Sequence, residues 1–277
     1  MVRTQAGGAK RTARVLKGIA ALILALAIWS FGIEPASLVV RHETLHIPSW
    51  SGPPVTLAVV ADLHVGSPWC HIGKLRRVVD ELNAAHADTT ILLGDYVIQG
   101  VLGGRFIPPD RIAAELRNLR GPTYAVLGNH DGWYNAHTVD AALRSAGIVV
   151  LNDESIERGQ FVLAGITDLW TGKHDIPRAL ANIRPEVPVI LLTHNPDIFP
   201  QVPARVALTL AGHTHGGQVN LPFVGRLIVP SRYGSRYAAG HIVEGGRQLF
   251  VTTGVGTSII PVRFRVPPEI VILTIDK

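Results

Sequence analysis

The chain has 277 residues, of which 47% are hydrophobic and 17% charged, a composition that excludes a disordered or collagen-like chain and fits one large α/β domain with a short appendage. The formal net charge is +5, but residues 1–17 carry five basic and no acidic side chains. The remaining residues have 21 charges of each sign and therefore lack the basic excess that nucleic-acid binding needs.

A charge-free apolar segment, residues 18–33, follows this basic tail. As a helix it is about 24 Å long, slightly less than the roughly 30 Å hydrocarbon core of a bilayer. A buried core helix would have a polar face, and this segment has none. We predict a transmembrane anchor, with a cleaved signal peptide as the alternative, because residues 19–29 have the length of a signal core and residues 30–32 include small residues. Either way, the positive-inside rule keeps residues 1–17 in the cytoplasm and sends the rest across the membrane.

Residues 34–54 contain four prolines and are predicted to be an extended connector to a domain over residues 55–277. That domain opens with apolar strands alternating with helices of amphipathic spacing. The predicted strands cover residues 55–61, 89–93 and 123–127, and the helices cover 72–86, 111–119 and 137–146. This βαβαβ order predicts a largely parallel sheet.

After residue 147 the predicted strands are separated mostly by Gly and Pro turns. They cover residues 161–166, 189–193, 206–211, 218–221, 249–253 and 270–275. We therefore expect a second, mixed sheet packed on the first.

Polar side chains that bind metals follow the predicted strands where each strand ends. They are Asp62 and His64, then Asp95, then Asn129, His130 and Asp131, and in the second half His194, His213 and His215. The carboxyl ends of strands in open α/β sheets meet in one crevice. The single cysteine, Cys70, cannot build a thiolate site, so His, Asp and Asn must hold any metal.

Alternate positions in two of these motifs, Asp62 with His64 and His213 with His215, predict that both side chains of a pair point the same way along an extended backbone. One histidine after a strand is usually a hydrogen-bonded loop residue, but the whole set of N and O donors predicts a site for two divalent cations such as Mn, Fe or Zn. The seven candidate ligands are Asp62, His64, Asp95, Asn129, His194, His213 and His215.

In order and approximate spacing, these motifs resemble the five blocks of the calcineurin-like metallophosphoesterases. The blocks are Asp62-x-His64, Gly94-Asp95, Gly128-Asn129-His130-Asp131, His194 and Gly212-His213-x-His215. The resemblance covers residues 55–275 and is closest to a bacterial membrane-associated branch, which similarly has an N-terminal apolar segment and a tail like residues 254–269. It implies a four-layer α/β/β/α sandwich of two mixed sheets.

The same resemblance implies a role for each site residue. Asp62, His64 and His215 would bind the first metal, Asn129, His194 and His213 the second, and Asp95 would bridge them. His130 would protonate the leaving alkoxide or stabilise its developing charge, and Asp131 would orient His130. Two cations about 3.5–4 Å apart share a hydroxide that attacks phosphorus and bind the phosphoryl oxygens.

We therefore expect a metal-dependent phosphoesterase at the outer face of the cytoplasmic membrane, or exported if the segment is cleaved. Its nearness to lipid favours a phosphodiester or a lipid-linked or sugar-linked pyrophosphate as substrate. The alternative is a non-catalytic metal-binding scaffold of the same fold, against which the complete ligand set argues. The sequence leaves open whether Arg226, Arg232 and Arg236 bind substrate, and whether Asp168 supports a metal ligand.

Overall fold

The computed structural model describes residues 5–277, so Arg3 of the predicted basic tail lies outside the described residues. The described part begins with helix α1 (Gln5–Ile28), which continues through a π-helical turn (Trp29–Ile33) into α2 (Glu34–Ala36). Residues 10–36 of this helix are long and apolar enough to cross a membrane. Its apolar side chains between Val15 and Trp29 are exposed on all sides, as expected of a helix whose partner is lipid.

The first sheet has six strands and holds the parallel core of the domain. They are β1 (Val39–His46), β2 (Val55–Val60), β3 (Thr89–Leu92), β4 (Thr123–Ala125), β5 (Val149–Val150) and β14 (Glu269–Asp276). Their order is β1-β14-β2-β3-β4-β5, with only β14 and β2 antiparallel to each other.

The second sheet is also mixed and six-stranded, and a small hairpin lies apart from both sheets. The strands of the second sheet are β6 (Glu154–Glu157), β7 (Val162–Gly165), β8 (Val189–Leu192), β9 (Val206–Ala211), β12 (Gly240–Glu244) and β13 (Arg247–Val251). Their order is β12-β13-β9-β8-β7-β6, and the hairpin consists of β10 (Asn220–Leu221) and β11 (Gly225–Arg226).

The two sheets pack face to face with helical layers outside. Along β2, Leu57 and Val59 face the second sheet while Ala58 and Val60 face the helices, the alternation that a strand buried on both faces requires. The outer face of the first sheet is covered by α3 (Ile72–Ala84), α4 (Pro109–Leu116) and α5 (Asn129–Ser145). The second is covered by the short α6 (Ile176–Ala179) and a 3₁₀ turn (Pro196–Gln201). The predicted four-layer sandwich is confirmed, with a thin fourth layer.

Several elements differ from the sequence prediction. The strand predicted at residues 218–221 belongs to the small hairpin rather than to the second sheet, and β5, β6 and β12 were not predicted. Residues 39–46 of the predicted connector form β1, which pairs along its whole length with β14, so the first sheet begins before residue 55. The strand predicted at 270–275 belongs to this first sheet rather than to the second. Helix α5 begins at Asn129 instead of 137. Gly128 and Asp131 cap an extra polar turn at its start. Asn135, whose backbone is not helical, separates this turn from the predicted helix.

Candidate metal centre

The loops after β2, β3, β4, β8 and β9 meet between the two sheets, and glycine lets them touch. Gly94 has a φ of 91°, and a side chain there would lie 2.5 Å from the backbone nitrogen of Gly128. A side chain on Gly128 would in turn collide with Asp95 Oδ1. The loops carrying Asp95 and Asn129 are therefore in backbone contact, which only glycine permits.

Five of the seven predicted ligands adopt left-handed backbone conformations, which side chains other than glycine rarely occupy. The φ values are 52° at Asp62, 40° at His64, 58° at Asp95, 70° at His213 and 49° at His215. Such strain costs about 1–3 kcal/mol per residue and persists where surrounding hydrogen bonds impose it. The prediction of an extended backbone at these pairs is therefore wrong, and His213 and His215 point into two different groups of ligands.

The first group consists of Asp62, His64 and His215, all buried. The Nε2 atoms of His64 and His215 are 3.1 Å apart, and His215 Nε2 is 3.6 Å from Asp62 Oδ1. Both Asp62 oxygens also accept the backbone N–H of His213, at 3.0 and 3.1 Å, which fixes the carboxylate. These three side chains could hold one cation between them.

The second group contains Asn129, His194 and His213. His194 Nε2 lies 3.0 Å from Asn129 Oδ1 and 3.1 Å from His213 Nδ1. His194 Nδ1 donates a hydrogen bond to the Leu93 carbonyl at 2.8 Å, and because a carbonyl only accepts, Nδ1 carries a proton. Nε2 is then the atom available to a metal.

Asp95 lies between the two groups. Its Oδ2 atom is 3.4 Å from His64 Nε2 and 3.3 Å from His194 Nε2. Its Oδ1 accepts the backbone N–H of His130 at 2.9 Å, so the carboxylate cannot swing away. One carboxylate oxygen thus faces both groups at once.

The electrostatics of the buried centre suit metal binding. Burial lowers the pKa of His64 and His213 to about 3 each, and that of His215 well below its ordinary value, so these rings are neutral at pH 7. His194 differs, because Asp95 outweighs burial and raises its pKa to about 10. Four imidazoles and two carboxylates converge here, and this donor set fits two divalent ions.

His130 lies at the mouth of the centre, its ring 4.7 Å from that of His64. Its Nδ1 atom has no hydrogen-bond partner, and burial lowers its pKa below the ordinary value. The prediction that Asp131 orients this ring is wrong. Both Asp131 oxygens accept backbone N–H groups instead. The donors are Asp95, Tyr96, Val97 and Gly128. Asp131 occupies the third position of α5, from which its carboxylate turns back to the loops around it.

Two tryptophans beside the centre escaped the sequence analysis. The Trp170 ring lies 4.4 Å from the His213 ring, and Trp133 lies 5.1 Å from His130. Asp168 holds the Trp170 loop by accepting its backbone N–H at 2.9 Å, so it supports this aromatic wall. Trp133 was detectable in principle, because it follows His130 by three residues and shares its face of α5. Trp170 carries no such signal.

The three arginines left open by the sequence have different surroundings. Arg226 Nε donates to the Gly216 carbonyl at 2.8 Å, directly after His215. Arg236 forms an ion pair with Glu244 at 2.8 Å, and Arg232 lies 3.8 Å from Asp197. Arg226 thus contacts the loop that carries the predicted ligand His215.

Comparison with known proteins agrees with this geometry. The family model described as calcineurin-like phosphoesterase matches residues 55–217. The chain is 33% identical over 231 residues to the phosphodiesterase YaeI of Escherichia coli, covering 79% of this chain and 82% of YaeI. It is also 33% identical to an uncharacterised metallophosphoesterase of Aquifex aeolicus, covering 84% of this chain and 88% of that protein. A transmembrane protein with a metallophosphoesterase domain from Danio rerio is 29% identical, covering 91% of this chain and 61% of the fish protein.

Proposed function

The chain belongs to the calcineurin-like metallophosphoesterases, phosphoester hydrolases that use two divalent metal ions, and from this premise we propose how its residues divide the work and where they act. When bound, the two cations would lower the pKa of a water molecule and neutralise charge on the phosphoryl oxygens. The chain's own side chains hold the cations, position the site and act on the leaving group.

In this proposal Asp62, His64 and His215 hold the first cation, and Asn129, His194 and His213 hold the second. Asp95 joins the two sites. The observation that carries the proposal is the position of Asp95 Oδ2, 3.4 Å from His64 Nε2 and 3.3 Å from His194 Nε2. A neutral Asn129 among the ligands limits the negative charge that would repel a phosphate ester.

His130 acts on the leaving group. Because burial lowers its pKa, the ring is neutral at pH 7 and donates a hydrogen bond through one ring N–H. Of the two roles that the family resemblance implies, this favours stabilising the charge that develops on the leaving oxygen. Asp131 is a positioning residue for the loop of Asp95, whose backbone N–H it accepts at 2.8 Å.

The N-terminal helix is retained as an anchor in this proposal. The backbone carbonyl of Ser30 accepts the N–H of Arg263 at 2.9 Å, and the carbonyl of Phe31 accepts Trp69 Nε1 at 2.8 Å. Glu34 accepts the backbone N–H of Val266 at 2.6 Å. Signal cleavage within residues 30–32 would break contacts of this docked segment, which argues against removal.

The side of the membrane follows from charge. Residues 1–17 carry five basic side chains, and none follows until Arg41, so the metal centre faces outside the cytoplasm. The substrate class that this location favours is a phosphodiester or a lipid-linked or sugar-linked pyrophosphate.

Hydrolysis assays on the purified full-length chain in detergent test this function. The substrates are a phosphomonoester, a phosphodiester and a lipid pyrophosphate, each with Mn, Zn or Mg. We expect metal-dependent turnover of the diester or the pyrophosphate above that of the monoester. Two bound metals with no turnover of any of the three would instead support the non-catalytic scaffold.

A further inference from the structure

Three loops near the metal centre carry exposed apolar side chains, and we call them together the apolar loop surface. They are residues 222–228, which comprise the tip of the β10–β11 hairpin, β11 and the two residues after it, then residues 258–262, and the turn at residues 101–103. The exposed side chains are Leu102, Phe223, Val224, Leu227, Ile228, Ile259 and Ile260.

The three loops form one continuous surface. The backbone N–H of Leu102 donates to the Ile259 carbonyl at 2.8 Å. The side-chain amide of Gln218 donates to the Ile260 carbonyl at 3.1 Å and accepts the Ser258 N–H at 2.6 Å. Between the hairpin and residues 258–262 runs a groove of about 350 Å³, lined mainly by apolar side chains.

This surface is unfavourable in water. Leu227, Ile228 and Ile259 are 67%, 79% and 70% exposed. Ile259 has a φ of 60°, in the left-handed region that β-branched residues rarely adopt. Contiguous apolar patches of this kind on soluble proteins mark sites of interaction. Within residues 5–277 no other segment covers it.

The apolar loop surface adjoins the end of the membrane helix. Arg263, whose N–H donates to the Ser30 carbonyl at 2.9 Å, comes three residues after Ile260. Three residues of chain span at most about 10 Å. Phe264 joins the hairpin through two backbone hydrogen bonds of 2.9 Å, to Gln218 and Asn220. The surface therefore lies where the helix enters the domain.

The charges around the surface match a lipid headgroup region. The segments 98–107, 217–229 and 256–266 contain no Asp or Glu. They contain four arginines, of which Arg105 and Arg265 are exposed and Arg226 is half-buried. Basic side chains beside a membrane are attracted to anionic lipids.

We propose that the apolar loop surface inserts into the outer interface of the bilayer that the N-terminal helix spans, with phospholipid acyl chains against Leu227, Ile228 and Ile259. The proposal rests on the anchor and orientation proposed above. Gly217, which lines the groove, is only two residues from His215. Insertion therefore places the metal centre beside the lipid headgroups.

The test uses the full-length chain in vesicles of phosphatidylcholine and phosphatidylglycerol. An environment-sensitive fluorophore is attached to L227C or to I259C, and V243C is the matched control. Val243 is 59% exposed and lies on β12, paired with Gln248 near the start of β13 and away from the metal centre. The single native cysteine, Cys70, is buried and donates to the Leu63 carbonyl, so background labelling is low.

We expect lipids with a nitroxide on the acyl chain to quench most of the emission at positions 227 and 259 and little of it at 243. Equal, weak quenching at all three positions would overturn the proposal. Protection from aqueous iodide without quenching by lipid would also overturn it, because a protein would then cover the surface.

Hydrolysis of a water-soluble nitrophenyl phosphodiester in the same vesicles separates this proposal from the proposed function. Turnover without lipid quenching would refute insertion alone. Lipid quenching without turnover of this diester, of the phosphomonoester or of the lipid pyrophosphate by the unlabelled parent chain would refute the proposed function and leave insertion standing.

Discussion

His130 needs the most direct test, because it borders the metal groups and forms with His64 and Asp95 a third cluster of side chains that could hold a metal. H130A should keep both metals and lose about 10² to 10³ in rate, the cost of removing one hydrogen-bond donor to developing charge. The loss should be larger for an alkyl ester than for a nitrophenyl ester of the same phosphate, since a nitrophenolate needs little help to leave. The ratio of parent to mutant rates on the two esters measures this. Equal losses, or loss of one metal equivalent, would make His130 a positioning residue or a ligand.

Asp131 works through the backbone of its neighbours. D131A would leave four buried backbone N–H groups without their acceptor and remove a helix cap, which should lower the free energy of unfolding by about 2–4 kcal/mol. D131N keeps one acceptor oxygen and should lose less. The measurement is thermal unfolding in detergent, with D110A, an exposed first-turn acid of α4, as control. Similar midpoints for D131A and D110A would contradict the capping role.

For single residues, the sequence predicts which side chains lie close together better than it predicts their backbone conformations and hydrogen-bond partners. Asp62, His194 and the other predicted ligands were recognisable because each follows a strand, and the structure brings all seven together. The left-handed backbone at His213 and His215 was not predictable, because tertiary hydrogen bonds rather than local preference impose it. The role of Asp131 depends on where α5 begins, which the polar residues 129–136 conceal.

Among the elements, the tail at residues 254–266 links the membrane helix to the metal centre. Arg263 is fully buried and donates to the carbonyls of Thr253, Gly254, Gly256 and Val266. A side chain on Gly254 would lie 2.6 Å from the Asp62 Cβ, so this tail packs directly against a predicted ligand. The tail therefore packs against both the end of the helix and the first metal group.

R263M should therefore lower the free energy of unfolding by about 2–4 kcal/mol, because buried carbonyls lose their donors. For a domain of this size the thermal midpoint would fall by about 5–15 °C. R265M, two residues away and exposed, is the matched control and should unfold like the parent chain. A thermal unfolding midpoint of R263M equal to that of R265M would show that the Arg263 hydrogen bonds do not stabilise the domain.

The strands show where sequence patterns fail at the level of elements. β14 is buried along most of its length and reads as a strand, but its sheet is set by the long return that inserts it between β1 and β2. In β1 the exposure alternates from Arg41 to His46, but the inward positions Arg41 and Glu43 are charged, so the sequence lacks the apolar and polar alternation of a half-buried strand. Edge strands tolerate such polar sequences because one side needs no partner.

For the whole molecule, the N-terminal helix proposed as the anchor, the apolar loop surface and the metal centre share one end of the domain. A reporter fused after Lys277 tests the orientation that this arrangement requires. A reporter active only outside the cytoplasm should work there, and the chain should stay with the membrane fraction. Activity of a cytoplasm-only reporter would reverse the orientation, and a soluble, shortened product would favour a cleaved signal over the anchor.

The measurement that tests the account most directly is metal content and turnover of D95N beside the parent chain. Asp95 Oδ2 faces a histidine of each metal group, so its loss should leave at most one equivalent bound and abolish metal-dependent hydrolysis, whereas the parent binds two. Two retained equivalents, with turnover within about tenfold of the parent, would contradict a centre joined by this carboxylate.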